Sequence, residues 1–206
     1  MEIKSISIPA TSKNAPTGLI ILLHGWGANA NDLESLAQIL NLPDYRFEFP
    51  GAPFPHPMVP WGKMWYDLES TQYKGLTESR QLLAEWLTSL ETETGVPPER
   101  TILGGFSQGG AMSLDVGLTL PFAGIVSMSG YLHSNPNPSA GTLPPVLMVH
   151  GKQDPVVPLE AAKRSLDSLT AAGVDVRYQE FDMAHEIRPE VLDVVRSFIL
   201  EAMSNR

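Results

Sequence analysis

The stretch Thr101-Ile102-Leu103-Gly104-Gly105-Phe106-Ser107-Gln108-Gly109-Gly110 carries most of the information about the fold of this chain. An apolar run typical of a buried strand ends in Gly-x-Ser-x-Gly, and the residues that follow are compatible with a helix. This order is that of a nucleophile elbow, in which a strained turn exposes a serine hydroxyl at the edge of a sheet. Gly105 and Gly109 fit there because larger side chains would collide with the adjoining strand and helix. Ser107 is therefore the candidate nucleophile, and a flexible glycine-rich loop is the alternative interpretation.

Composition restricts the classes of function. The chain has 206 residues, 43% of them hydrophobic, which is typical of one α/β domain with a substantial core. The absence of cysteine excludes disulfides, thiol catalysis and thiolate metal sites. A net charge of −9 gives no reason to expect a nucleic acid or an anionic membrane as partner. Because the chain has neither a long apolar run nor a signal-peptide pattern, we expect no stable membrane insertion and a cytoplasmic location.

Apolar periodicity and Gly/Pro punctuation predict that strands and helices alternate. The predicted strands cover residues 3–8, 19–23, 46–49, 101–104, 123–128, 146–149 and 174–181. The predicted helices cover residues 29–40, 77–93, the stretch after Ser107, 159–172 and 189–203. This alternation predicts an α/β fold with a mainly parallel, doubly wound sheet of about seven strands flanked by helices. Functional groups are expected at the carboxyl ends of the strands.

Two stretches do not follow this pattern. Residues 50–75 are a long irregular segment, which in a compact domain is usually functional. Four of its large side chains are Trp61, Met64, Trp65 and Tyr66. These side chains either line an acyl-binding groove or pack the segment onto the domain, and both interpretations stay open. Residues 131–145 are too short and too rich in proline for a helical cap, so we expect no cap domain.

A serine hydroxyl becomes a good nucleophile only when a base removes its proton, and that base needs a partner to fix its tautomer. His185 lies between the last predicted strand and the last helix, and Asp154 follows the preceding strand. The chain order Ser107, Asp154, His185 is the one associated with α/β-hydrolases. The alternatives are a loop-capping role for Asp154 and a surface position for His185.

An acyl-transfer site also needs backbone N–H groups that bind the developing oxyanion. In a nucleophile elbow one donor is the residue after the serine, here Gln108. The second donor comes from the loop after an early buried strand, here at Trp26 between Gly25 and Gly27. The alternative for Trp26 is an ordinary hydrophobic residue that covers the start of a helix.

The remaining histidines give no sign of a metal site. No pair of the five histidines has the i, i+4 spacing of a helical metal motif, and no His/Asp/Glu cluster has ligand spacing. His24 and His150 precede glycines at strand ends, where a side chain commonly supports a loop through hydrogen bonds. We therefore expect neither a metal nor a cofactor.

Four segments together resemble the phospholipase/carboxylesterase family of α/β-hydrolases, which includes acyl-protein thioesterases and small bacterial carboxylesterases. They are residues 23–27, 95–110, 151–158 and 183–186, and the resemblance extends from residue 19 to the last helix. It implies that residues 1–206 form a single α/β-hydrolase domain. It also implies that Ser107 is the nucleophile, Asp154 the acid and His185 the base.

The same resemblance assigns the oxyanion N–H groups to Trp26 and Gln108. Many family members have leucine at the position of Trp26, and a backbone donor does not depend on that side chain. Residues 65–67 look like the aromatic-aromatic-Asp element of the family's active-site loop, with Asp67 in a structural role.

The sequence thus predicts a serine carboxylesterase that hydrolyses short- to medium-chain acyl esters of small molecules through an acyl-enzyme intermediate. An acyl thioesterase or a lysophospholipase would use the same triad. A protein that keeps the hydrolase fold only to bind a ligand is the alternative from another class. The sequence leaves open whether the chain forms a homodimer.

Overall fold

A seven-stranded sheet forms the centre of the computed structural model, which describes residues 2–12, 15–136 and 143–204. The strands are β1 Ser5–Ile8, β2 Gly18–Leu23, β3 Tyr45–Pro50, β4 Phe54–Pro55, β5 Lys63–Met64, β6 Thr101–Phe106, β7 Gly124–Met128, β8 Val146–Gly151 and β9 Val176–Phe181. The helices are α1 Leu36–Leu40, α2 Leu76–Thr94, α3 Gln108–Gly117, α4 Leu159–Ala171 and α5 Pro189–Ser204, with a 3₁₀ turn at Pro98–Arg100.

The order of strands in the main sheet is β1-β3-β2-β6-β7-β8-β9, and β4 and β5 form a separate two-stranded ribbon. β1 pairs antiparallel with β3, and all other pairs in the main sheet are parallel. The central strand β6 therefore has β2 and β7 as neighbours, and its carboxyl end carries Ser107. The prediction of a mainly parallel, doubly wound sheet is confirmed.

The packing of both faces of strand β2 explains why its sequence is continuously apolar. Ile20 and Leu22 belong to the hydrophobic cluster that includes residues of α1 and α5. Their neighbours Leu19, Ile21 and Leu23 belong to the cluster that includes residues of α2 and α3. Because side chains alternate between the two faces of a strand, a strand with helices on both faces has no polar position.

The predicted helix over residues 29–40 is mostly wrong, because only Leu36–Leu40 is helical and the residues before it form turns. The side chain of Asn29 accepts hydrogen bonds from the backbone N–H and the side-chain amide of Asn31. Asparagine side chains compete in this way with helical hydrogen bonds, so the apolar spacing of Leu33, Leu36 and Leu40 marks a buried face without a continuous helix.

No cap domain covers the carboxyl ends of the strands in the three described ranges. Residues 131–136 and 143–145 of the predicted 131–145 loop are described, and neither part is helical. Residues 137–142 of that prediction lie outside the described residues. In these ranges, loops and the start of α4 therefore border the carboxyl edge of the sheet.

The turn between β6 and α3 is packed too closely for side chains at two positions. A Cβ atom on Gly109 would lie closer than 3.0 Å to the carbonyl oxygens of both Leu23 and His24. A Cβ atom on Gly105 would lie closer than 3.0 Å to the backbone of Gly109 and to the Leu23 carbonyl oxygen. These neighbours are backbone atoms and cannot rotate away, so only glycine allows α3 to start against the end of β2.

We expect Gly109→Ala to destabilise the fold by roughly 3 kcal/mol or more, because a methyl group there overlaps backbone of the central sheet. Gly51→Ala is the matched control, since its Cβ would lie 3.6 Å from the Lys4 carbonyl oxygen, an ordinary contact. Urea unfolding of both variants measures the difference. Equal unfolding midpoints for the two variants would contradict the packing argument.

Candidate active site

Ser107 occupies a strained turn between β6 and α3. Its backbone dihedrals are φ 55° and ψ −118°, in a region that non-glycine residues rarely adopt. The turn is held because the Ser107 N–H donates to the Met128 carbonyl at 2.8 Å, and the Ala111 N–H donates to the Ser107 carbonyl at 3.0 Å. The backbone of Ser107 is therefore held in place at the carboxyl end of the central strand.

Asp154 and His185 are joined by a short hydrogen bond. The distance from His185 Nδ1 to Asp154 Oδ2 is 2.7 Å, and the Asp154 side chain is fully buried. The other carboxylate oxygen, Oδ1, accepts the backbone N–H groups of Val156 and Val157, both at 2.9 Å. An imidazole that donates from Nδ1 to a carboxylate leaves its Nε2 for another partner.

Opposing effects act on the ionisation of Asp154. Burial raises the pKa of a carboxyl group, but here the hydrogen bonds from His185, Val157 and Val156 outweigh burial and lower the pKa of Asp154 below its ordinary value. The carboxylate is therefore ionised at neutral pH and can accept the Nδ1 hydrogen of His185.

The loops after β6, β8 and β9 bring the three predicted triad residues to one edge of the sheet. The imidazole of His185 packs on the ring of Phe106, the residue before Ser107, with ring centroids 4.7 Å apart. The side chain of His185 is only 15% exposed, so the ring is held between the elbow and Asp154. The structure thus places His185 against Asp154 on one side and against the residue before Ser107 on the other.

The two predicted oxyanion positions flank the same serine. Gln108 is the first residue of α3, where helix geometry leaves the backbone N–H without an intrahelical acceptor. Gly25, directly before Trp26, lies so near the elbow that a Cβ atom on it would be 3.4 Å from the Ser107 Cβ. The ring of Trp26 packs edge-on against His56, with centroids 4.1 Å apart.

The side chain of Gln108 has a role that sequence reasoning missed. Its Oε1 accepts the Trp65 backbone N–H, and its Nε2 donates to the Tyr66 carbonyl, each at 2.8 Å. The indole of Trp65 donates to the His24 carbonyl at 3.0 Å, and the Ser79 hydroxyl donates to the Trp65 carbonyl. The irregular segment 50–75 is thereby fastened to the elbow and to the Trp26 loop.

A cavity of about 490 Å³ opens beside Ser107 and Gln108. Its walls come from residues 131–135 after β7, from residues 156–158 before α4, from one face of α4, and from Leu68 and Tyr73. The position of this cavity, next to the candidate nucleophile, makes it the candidate substrate site.

The four side chains for which groove lining and packing were both left open do not line this cavity. Trp65 and Tyr66 have no exposed surface and belong to a hydrophobic core. Trp61 is 90% exposed, and the half-buried Met64 lies on β5, paired with Phe54. This placement corrects the sequence-based assignment: the segment lines the cavity through Leu68 and Tyr73 instead.

A second buried carboxylate holds the wall formed by residues 131–135. Asp115 Oδ2 accepts Nε and Nη2 of Arg80 at 2.9 and 2.6 Å, and it contacts His133 Nδ1 at 2.7 Å. The hydroxyl groups of Tyr66 and Tyr131 are 2.9 Å apart on the same side. No sequence motif marked these residues, which are separated along the chain and meet only in the folded protein.

Within the described parts of the chain, no three His, Asp or Glu side chains are arranged to hold a metal ion. In the same ranges, none of the helices combines the length and the apolarity that crossing a membrane requires.

Comparison with known proteins identifies the family. The family model described as Phospholipase/Carboxylesterase matches residues 5–203. The chain belongs to this family. Acyl-protein thioesterase 1 of Gibberella zeae is 33% identical over 96% of this chain and 95% of its own. Acyl-protein thioesterase 1 of Saccharomyces cerevisiae is 31% identical over 90% and 93% of the two chains.

Among solved structures, esterase PE8 is 34% identical, with a TM-score of 0.90 over 98% of this chain and all of that one. The resemblance to the phospholipase/carboxylesterase family and the α/β-hydrolase fold are therefore confirmed. As a member of the family, the chain is a serine hydrolase that acts on acyl esters or thioesters. This finding removes the alternative of a protein that only binds a ligand.

We expect Asp154→Asn to lower the free energy of unfolding by about 1–3 kcal/mol at pH 7, because an amide cannot replace an ionised carboxylate beside His185. A carboxyl group with a lowered pKa in the folded state stabilises the fold above its unfolded pKa of about 3.9, and this contribution is lost as the pH falls further. The difference between wild type and Asp154→Asn should therefore be present at pH 5 and shrink below about pH 4.

Thermal unfolding measured from pH 3 to pH 7 tests this. Ser107→Ala keeps the Asp154–His185 pair and serves as control, so its pH dependence should be parallel to that of wild type. A difference between wild type and Asp154→Asn that stays constant down to pH 3 would show that the carboxylate is not preferentially ionised in the folded protein.

Proposed function

We propose that this protein is a carboxylesterase in which Ser107 is the nucleophile, His185 the general base and Asp154 the residue that orients and stabilises the imidazole. The backbone N–H groups of Trp26 and Gln108 bind the oxyanion. The single observation that carries the proposal is the 2.7 Å bond between His185 Nδ1 and the buried Asp154 carboxylate beside the strained turn of Ser107.

The proposed reaction has two halves. Ser107 Oγ attacks the acyl carbonyl carbon while its proton moves to His185 Nε2; the ester C–O bond then breaks, and His185 gives the proton to the departing alkoxide. Water next attacks the acyl-enzyme and loses a proton to His185. The bond from the acyl carbon to Ser107 Oγ breaks, Oγ takes the proton, and the carboxylic acid leaves.

The walls of the cavity support a preference for short to medium acyl chains. Just before α4 the wall is apolar, with Val156, Val157 and Pro158. Two turns along α4 it becomes polar, with Arg164 and Ser168. A long alkyl chain would cover these polar groups without offering them hydrogen bonds, which costs free energy.

The curated relatives give a specific reason to consider a second activity, since several are named acyl-protein thioesterase. The proposed triad does not distinguish an alcohol from a thiol leaving group. Hydrolysis of a lysophospholipid would require the same steps with glycerophosphate as the alcohol part.

We predict that Ser107→Ala lowers kcat/KM for p-nitrophenyl butyrate by about 10⁵- to 10⁶-fold, because removal of the nucleophile of a serine triad removes nearly all turnover. A fluorophosphonate probe should label the wild-type protein and not the variant. Circular dichroism checks that the fold is unchanged.

Ser113→Ala is a matched control, since Ser113 lies six residues further on in α3 and donates to the Gly109 carbonyl within the same helix. It should be labelled like wild type. The nucleophile assignment fails if Ser107→Ala keeps more than about a tenth of wild-type activity.

We predict that p-nitrophenyl esters of four to eight carbons are hydrolysed with a higher kcat/KM than the sixteen-carbon ester. In a parallel assay, S-butyryl and S-palmitoyl thiocholine replace the oxygen esters at matched acyl length. An esterase prefers the oxygen ester at each length. If the S-palmitoyl thioester is instead the best substrate, the thioesterase assignment replaces the esterase assignment, and the expected chain-length limit is wrong.

A further inference from the structure

One face of helix α4 forms a wall of the cavity beside Ser107. Ala161, Arg164, Ser165 and Ser168 line this wall, and their spacing of three and four residues places them along one face of a helix. At 1.5 Å per residue, Arg164 lies about 9 Å along the helix from Pro158, which precedes the first turn near Asp154. Arg164 and Ser107 line the same cavity, so a small substrate with its ester at the serine can present another of its groups to this cation.

The charge of Arg164 has no partner among the described residues. No carboxylate in the described ranges lies within 4.0 Å of its guanidinium, although Glu160 and Asp167 are close along the same helix. By contrast, the adjacent Lys163 pairs with Glu180 at 3.4 Å, and Arg80 pairs with Asp115. An unpaired guanidinium in a chain of net charge −9 is available to a ligand.

The neighbours of Arg164 in the cavity wall are polar. Ser168 Oγ donates to Asn135 Oδ1 at 3.4 Å, and this pair bridges α4 and the 131–135 wall. Both residues line the same cavity as Ser107 and Arg164. The cavity thus combines an apolar part, lined by residues just before α4, with a part that carries hydroxyl, amide and guanidinium groups.

We propose that Arg164 binds an anionic group of the substrate, so that the enzyme prefers esters whose acyl or alcohol part ends in a carboxylate or a phosphate. A guanidinium binds either oxyanion through two parallel N–H donors. The inference rests on the proposed esterase function, because the anion is recognised while the ester carbonyl is at Ser107.

Two pairs of substrates separate the acyl from the alcohol part. For the acyl part, mono-p-nitrophenyl adipate is compared with p-nitrophenyl hexanoate; for the alcohol part, 4-butyryloxybenzoate is compared with phenyl butyrate. The quantity measured is the ratio of kcat/KM for the charged ester to that for its neutral counterpart, at low ionic strength and corrected for spontaneous hydrolysis. We expect Arg164→Gln to lower this ratio about two- to fivefold in one pair, as for a partly exposed charge contact.

Lys163→Gln is the matched control, since it removes the same charge from the adjacent position, where the side chain pairs with Glu180. It should keep the wild-type ratio in both pairs. In 1 M NaCl, where the Debye length is about 3 Å, the advantage of wild type over Arg164→Gln should shrink.

If Arg164→Gln leaves both ratios unchanged, or if Lys163→Gln lowers them equally, the inference is overturned. If hydrolysis of the neutral esters still depends on Ser107 in that case, the proposed esterase function stands. If hydrolysis of all four esters is independent of Ser107, the proposed function fails and this inference fails with it.

Discussion

The close contact between the start of α3 and the end of β2 is the constraint on which the rest of the site depends. Gly105 and Gly109 let the backbone of the elbow approach the carbonyl oxygens of Leu23 and His24 more closely than any side chain would permit. The candidate nucleophile and the loop that carries Trp26 are therefore built on the same backbone contact. A small shift between β2 and α3 would change the position of the serine relative to both proposed oxyanion donors, and the proposed mechanism therefore requires this region of the core to be rigid.

Polar side chains extend this rigid frame to the irregular segment 50–75. Gln108 holds the backbone of Trp65 and Tyr66, while His24 faces the carbonyl of Gly25 through Nδ1 and accepts the Ala52 N–H through Nε2 at 3.0 Å. An imidazole that both donates and accepts must be neutral. Burial lowers the pKa of His24 and so favours that neutral form. The segment is long, but near the elbow these hydrogen bonds attach it to the ends of β2 and β6.

Local sequence signals predicted the features of the structure that depend on residues close together in the chain. The Gly-x-Ser-x-Gly turn, the buried strands and the order Ser107, Asp154, His185 follow from backbone sterics, side-chain alternation and strand ends. The orientation of Trp65 and Tyr66 did not follow, because it depends on an amide more than 40 residues further along the chain. The helix over residues 29–40 was predicted too long. The apolar spacing in this stretch indicates which residues are buried, but the side chain of Asn29 forms hydrogen bonds that favour turns over a helix. The cavity residue Arg164 belongs to no motif, since its exposure to the cavity depends on how α4 packs.

The turn at Asp154 connects the proposed triad to the shape of the cavity. One carboxylate oxygen faces His185, and the other accepts the N–H groups of Val156 and Val157 just before α4 begins. The same side chain therefore orients the candidate base and sets the direction in which the cavity-lining helix leaves the sheet. Any change that moves α4 to admit a larger substrate would act on this turn, and through it on the position of His185. The dimensions of the cavity and the geometry of the triad are thus coupled through a single buried carboxylate.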